Sequence, residues 1–374
     1  MEEKKIELYL HIPFCSRKCD YCDFISGPAD QKRQREYVEA LKREIAASGK
    51  KEEVSSVFFG GGTPSLLPAE WMEELMESLT EQFRLAEDAE ISMEANPGTL
   101  TAEKLSGYRK AGINRLSLGC QSARNEELKY LGRIHTYEMF EESFQMAREA
   151  GFSNLNVDLM SGLPGQSGKS WEESLRKILK WNPEHISAYS LIVEEGTPFA
   201  RRELILPTEE EERRMYEVTG ILLGEAGYEQ YEISNYAKPG FACRHNIGYW
   251  IRRPYLGMGL GAASLFGEVR YQNTSSMETY LSKSGEPEKI RENKEELSRK
   301  EQMEEFCFLG LRMMCGISRR EFEEQFQRSM EEVYGAVIEK HKKLGMLEEE
   351  EGRVRLTRRG ISVSNGVMAD FLLD

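Results

Sequence analysis

Three cysteines crowd one short loop near the start of the chain. Cys15, Cys19 and Cys22 fall in the stretch YLHIPFCSRKCDYCDF, with the spacing C-x3-C-x2-C. A run with strand character, Ile6–Ile12, leads in, and Pro13 ends it. Ser16, Arg17, Lys18 and Asp20 keep the loop polar. Three thiolates on one loop can meet at one metal centre. An iron–sulfur cube takes four thiolates, one per iron, so a loop with three leaves one iron open to another ligand. Zinc is the competing reading. It asks for four ligands, commonly two well-separated C-x2-4-C pairs, and no second pair exists. Cys307 and Cys315 stand eight apart in a helical stretch, and His11 belongs to the alternation of the leading strand.

Seven cysteines, three of them on one loop, read as a reducing compartment with a metal site and not as a disulfide framework. Residues 1–10 lack the pattern of a secretory leader, and no apolar run has the length of a membrane span, so a cytoplasmic protein is expected. A net charge of −14 argues against a general nucleic-acid or anionic-membrane binder. The 374 residues leave room for one large domain and a smaller one.

Strand and helix patterns alternate through the first half. Strands are expected at Ile6–Ile12, 54–59, 90–94, Arg115–Gln121, 154–160 and 185–192, with helices at 29–48, 68–83, 101–111, 125–131, 136–150 and 171–180. Six such units predict a parallel sheet with crossover helices, its strands poor in internal charge. They suit a partial (β/α)6 barrel, with ligands gathering at the C-terminal ends of the strands. A helix at 209–226, a strand at 228–236 and a Gly- and Ala-rich stretch at 255–267 follow, and 285–300 reads as a linker. The tail has the order of a small α+β winged-helix-like domain, with two short strands about Glu351-Gly352. Its acidic residues outnumber the basic ones, so partner docking suits it better than DNA. The expected divisions are 1–200, 201–284 and 285–374.

Polar groups fall where such a barrel would open. Gly60-Gly61-Gly62-Thr63-Pro64 follows a strand, and glycines there let backbone N–H groups approach a ligand. No GK[ST] follows, so it is not an ATP-binding loop. Glu94, Gln121, Asp158 and Arg133 all lie at or just past strand ends. Singly, such residues are more often helix caps. Together they suit a zwitterionic, hydroxyl-bearing ligand.

HIPFCSRKCDYCDF, GGGTPS, MEANPGT, RLSLGCQS, LGRIH and NVDLMSGLPGQ, in that order, resemble the radical S-adenosylmethionine proteins of the oxygen-independent coproporphyrinogen III oxidase family. The resemblance implies a radical SAM barrel and a [4Fe–4S] cluster on Cys15, Cys19 and Cys22, whose open iron chelates S-adenosylmethionine. One electron then cleaves the sulfonium and yields a 5′-deoxyadenosyl radical. It also implies contacts to that cofactor from Tyr9, Gly61, Gly62, Thr63, Glu94, Gln121, Arg133 and Asp158, and we count Phe24 with this set.

Two departures bear on the branch. The oxidases carry a further cysteine two residues after the third, where this chain has Phe24, and they carry an extension ahead of the first strand. Instead, His245-Asn246-Ile247-Gly248-Tyr249-Trp250 forms H-N-x-x-Y-W, which resembles the haem-binding motif of the family's haem chaperones. Histidine is a common axial ligand to haem iron, and Tyr and Trp offer flat faces to a macrocycle. The plain alternative for His245 is a satisfied core histidine. Cys243 reads as a buried thiol, His11, His135 and His185 as structural, and His341 as solvated. The expected function is haem chaperoning without coproporphyrinogen oxidase activity. The partners would be haem and an apo-haem-protein acceptor, associated with the membrane by family analogy, with no nucleic acid and with room for a homodimer. Radical decarboxylation of coproporphyrinogen III and a regulatory role for the tail are the other readings.

Overall fold

The computed structural model describes residues 5–50 and 52–373. The first four residues of the expected leader-free N-terminus lie outside that set.

Strand β1 (Ile6–Ile12) alternates in a way that sets the architecture. Leu8, Leu10 and Ile12 are fully buried in the core shared with Tyr37, Val38 and Leu41 of helix α1 (Gln31–Ser48). Glu7, Tyr9 and His11 take the opposite face. Asp30 caps α1 by accepting from the Arg33 amide. The alternation continues through β2 (Glu53–Gly61), α2 (Ala69–Gln82), β3 (Arg84–Ala95), α3 (Ala102–Lys110), β4 (Arg115–Gln121), α4 (Asn125–Tyr130), α5 (Tyr137–Glu149), β5 (Leu155–Ser161), α6 (Gly168–Leu179) and β6 (His185–Ser190). β1 to β6 pair in that order, all parallel, so their C-terminal ends share one rim. This is the partial barrel expected from the alternation. Its strands are poor in charge only toward the helices. The inner face buries Glu7, Glu90, Arg115 and His185, which find partners in Arg253, the Arg244 N–H, Ser92 and Asn156 respectively.

Beyond β6 the sheet grows at both edges. Helix α7 (Glu209–Glu225) opens with a Thr208 capping box. One strand is expected over 228–236, but the chain turns midway into a hairpin, β7 (Glu229–Gln230) and β8 (Asn235–Ala237), which adds antiparallel to β6. After α8 (Arg244–Trp250) the chain crosses to the other edge. β9 (Tyr255–Met258) pairs with β1, and β10 (Ala263–Phe266) and β11 (Val269–Asn273) follow. A Cβ on Gly257 would stand 2.0 Å from the Ala263 carbonyl oxygen, so the glycine-rich stretch is a place where backbones touch. After α9 (Met277–Lys283), the expected linker carries instead the edge strand β12 (Arg291–Glu296). Twelve strands thus form one sheet among the described residues.

The tail has its own core, with Phe322, Phe326, Tyr334 and Phe371 in edge-on or tilted contact. α10 (Arg299–Gly310), β13 (Ile317–Ser318), α11 (Arg319–Phe326), α12 (Met330–Lys343), β14 (Leu347–Glu350), β15 (Arg353–Leu356), α13 (Arg358–Ile361) and α14 (Ser364–Ala369) follow in turn. The small antiparallel sheet, ordered β13-β15-β14, gives the winged-helix-like arrangement. His341 is buried against Asp370 in this core and not solvated as expected. Among the described residues, no helix is long and apolar enough to cross a membrane.

Candidate functional site

The parallel strands end around a cleft of about 720 Å³, open to solvent. Cys15, Cys19, Cys22, Phe24, Gly61, Gly62, Thr63, Glu94, Gln121, Arg133 and Asp158 all line it. Eleven of the thirteen expected site residues therefore share this cleft, and two, Tyr9 and His245, stand apart. Tyr9 gives its hydroxyl to His11 Nδ1 at 3.0 Å and stacks its ring on Phe58, beneath the cleft and not on its wall.

The cysteine loop is held by backbone. Cys15 N–H donates to the Gly27 carbonyl at 3.0 Å, and Gly27 N–H returns to Pro13 at 3.0 Å. Gly62 N–H donates to the Ile12 carbonyl at 2.9 Å. A Cβ on Gly62 would lie 2.6 Å from the Phe14 carbonyl oxygen, so the glycine turn presses directly on the start of the loop. Gly61 takes φ +113°, which only glycine holds without strain. The strand-to-helix turn thus brings bare backbone against the start of the cysteine loop.

Arg133 knits the far wall. Its Nη2 donates to Asn96 Oδ1 at 2.7 Å and to the Gly119 carbonyl at 2.6 Å, and Nη1 reaches Cys19 Sγ at 3.7 Å. Asn96 Nδ2 donates to Thr63 Oγ1 at 2.7 Å, which stands 3.5 Å from Cys15 Sγ. Arg133, Asn96 and Thr63 therefore join two of the three thiols through one hydrogen-bonded arc. Tyr189 donates to Gln121 Oε1 at 2.9 Å, fixing that amide where Gln121 takes φ +66°. Asn96, Ser117 and Tyr189 line the cleft as well but carry no signal in the sequence beyond a turn or an alternating strand.

Two carboxyls share the cleft floor. Glu94 accepts from Gly61 N–H at 3.2 Å, yet burial, and then the charge of Asp158, push its carboxyl up to about 8. Asp158 is raised by burial and held down by hydrogen bonds from Ser117, Ser187 and Asn156. The Cys22 thiol is raised by burial first, and by the neighbouring Cys19 and Cys15.

Among the described residues, no three His, Cys, Asp or Glu side chains close on a single metal ion. Three thiols that face one cleft suit a cube, which takes one thiolate per iron. Arg133 stands beside Cys19, and the Glu94 and Asp158 carboxyls lie in the same cleft.

His245 lies elsewhere. It sits in α8 beneath the barrel, 1% exposed. Ser56 Oγ meets Nδ1 at 2.9 Å, Tyr249 hydroxyl meets Nε2 at 3.3 Å, and the ring stacks on Phe58. Burial, then Arg115, push the imidazole down to about 3, so it is neutral. Cys243 is buried and 3.3 Å from Glu90 Oε1.

A thiol-lined cleft at the C-terminal rim of a partial parallel barrel defines a radical SAM protein. The model of the radical SAM superfamily matches residues 9–178, and that of the HemN C-terminal domain matches residues 297–363. Over 100% of this chain and 99% of its own length, the heme chaperone HemW of Lactococcus lactis is 38% identical. The heme chaperone HemW of Bacillus subtilis is also 38% identical, over 97% of this chain and 98% of its own. The solved coproporphyrinogen III oxidase HemN from Escherichia coli, described as a radical SAM enzyme, superposes with a TM-score of 0.87 at 25% identity, covering 99% of this chain and 90% of that one. This chain belongs to the HemW family of radical SAM proteins.

Proposed function

We propose that the protein is a cytoplasmic haem chaperone that holds a [4Fe–4S] cluster and S-adenosylmethionine in the cleft, takes haem at the His245 segment, and passes it to an acceptor apoprotein at the membrane. The observation that carries this reading is the coexistence of the three-thiol cleft with an H-N-x-x-Y-W helix in a chain that matches HemW proteins end to end. When bound, the cluster supplies the electron that S-adenosylmethionine needs for sulfonium cleavage. The residues of the chain hold and orient. Cys15, Cys19 and Cys22 ligate, Arg133 balances their charge, Gly61 and Gly62 let the backbone approach, and Glu94 and Asp158 face the cationic part of the ligand. Phe24, 62% exposed at the mouth, stands where the oxidases have a further cysteine.

Haem ligation by His245 requires α8 to leave its seat, since both ring nitrogens are engaged. α8 is also covered from the tail. Arg312 lies over the Trp250 ring at 4.3 Å, and Arg252, two residues past α8, pairs with Glu305 at 2.7 Å. Haem titration tests the reading. The wild type should develop a Soret band that His245→Ala lacks or shifts. An identical band in both removes His245 as ligand. The second reading, coproporphyrinogen III oxidation, is favoured by the likeness to HemN. Reconstituted protein given S-adenosylmethionine, reductant and coproporphyrinogen III should form no protoporphyrinogen IX, and turnover would reverse the choice.

A further inference from the structure

We propose that Tyr231, His185 and Asn156 are a positioning relay that aims the Asp158 carboxylate at the cleft and begins where the tail docks on the barrel. The proposal rests on the reading that the cleft takes S-adenosylmethionine. The three residues form an unbroken chain through the barrel interior. Tyr231 hydroxyl meets His185 Nε2 at 2.9 Å, His185 Nδ1 meets Asn156 Oδ1 at 2.6 Å, and Asn156 Nδ2 meets Asp158 Oδ1 at 2.7 Å. Asn156 Nδ2 also donates to Ser117 Oγ at 2.7 Å, whose own hydroxyl donates to Asp158 Oδ2 at 2.9 Å. The Asp158 carboxylate only accepts, so the Asn156 atom against it is the amide nitrogen and the atom against His185 and Ser187 is the oxygen.

These partners settle the direction of every bond. An amide oxygen only accepts, so His185 Nδ1 carries the hydrogen. Its Nε2 then accepts, and Tyr231 donates. Each donor in the series therefore points toward Asp158. Such a head-to-tail series polarises its members in one sense. His185 is fully buried, and Asn156 nearly so, at 2% exposed. A buried histidine with both nitrogens matched and one tautomer enforced costs more to place than an apolar residue of the same size. Its position makes sense if the bond it passes on has a use at the cleft.

The outer end of the series meets the tail. The Tyr231 carbonyl accepts from Met314 N–H at 3.0 Å, and Glu232 bridges Met313 and pairs with Arg312. Seating of the tail thus fixes the residue that starts the relay. The groups that face Asp158 are Glu94 from β3, Arg115 and Cys120 from β4, and Tyr189 from β6. None of them donates to its Oδ1 in place of Asn156.

Tyr231→Phe removes one hydroxyl and keeps the ring. On cluster-loaded protein, equilibrium dialysis with S-adenosylmethionine is expected to show about fivefold weaker binding, the scale of coupling carried by packed polar networks. A carboxylate with weaker donors protonates at higher pH, so the gap between variant and wild-type affinity should widen as pH is lowered. His185→Gln should show the same widening, with the cluster absorbance and thermal midpoint of Tyr231→Phe as the check on folding. Equal affinities, or one constant factor at every pH, would overturn the relay while leaving the cleft assignment standing. A wild type that binds no S-adenosylmethionine overturns both.

Discussion

Glu94 shows how a single residue can be tuned by its setting. Its carboxyl is raised to about 8 because burial disfavours the charge and Asp158 adds repulsion, and one bond from Gly61 N–H does not offset them. Near neutral pH it therefore holds a proton. An ammonium or sulfonium brought alongside favours the carboxylate, and the proton leaves. Binding of S-adenosylmethionine at about pH 7 should release about one proton, measured by calorimetry in two buffers of different ionisation enthalpy. Glu94→Gln should release none. Equal release from both proteins would assign the proton to another group. The position of Glu94 is legible from the strand pattern, since it lies at the end of an apolar run. Its neighbour Asn96 is not. Before Pro97-Gly98 an Asn reads as turn chemistry, and only the fold brings Thr63 and Arg133 to its side chain. Tyr9 fails the other way. Its place in the leading strand is legible, but alternation cannot say that Phe58 and His11 claim the ring and hydroxyl one layer below the cleft.

At the scale of one element, α8 is too short to hold itself, since isolated helices of this length are not stable in water. Strand β3 supplies its cap, with Glu90 accepting from Arg244 N–H at 3.1 Å and from His245 N–H at 3.3 Å. Strand β1 supplies its seat. Gly248 lies so close to Glu7 that a Cβ there would stand 1.9 Å from Glu7 Oε1, and Glu7 is fully buried and paired with Arg253 at 3.1 Å. Gly248→Ala should thus cost about 1–3 kcal/mol through overpacking, seen as a lower thermal midpoint. An unchanged midpoint would mean that α8 does not pack on β1 in solution. The motif is readable as residues but not as a buried plug, because seven residues of mixed polarity have no period to show which face turns inward. Strand β12 was hidden for a related reason. Its side chains are almost all exposed, so no alternation of polarity betrays it, and only pairing with β11 makes it a strand.

Across the whole molecule, burial of charge inside the barrel and its extension sets how stability answers to pH. Burial raises Glu7 to about 8, Glu44 to about 7 and Glu94 to about 8. The unfolded chain ionises these carboxyls near 4.5, so between that value and about 8 the native state binds more protons and stability falls as pH rises. Four histidines oppose this on the acid side. His11, His135, His185 and His245 are all lowered, burial first, so the native state resists protons that the unfolded chain takes up below about 6.5. Above about 6.5 the histidines no longer contribute a slope, and the carboxyls alone remain. Thermal midpoints of the anaerobic, cluster-loaded protein should therefore decline from about pH 6.5 to about pH 8.5. Glu7→Gln removes one titrating group while keeping the donor contacts of Arg253 to an amide oxygen, so its decline should be shallower than that of the wild type. A rising midpoint over the same interval, or a slope unchanged in Glu7→Gln, would show that the Glu7 carboxyl is ionised in the native state and that Arg253 outweighs its burial.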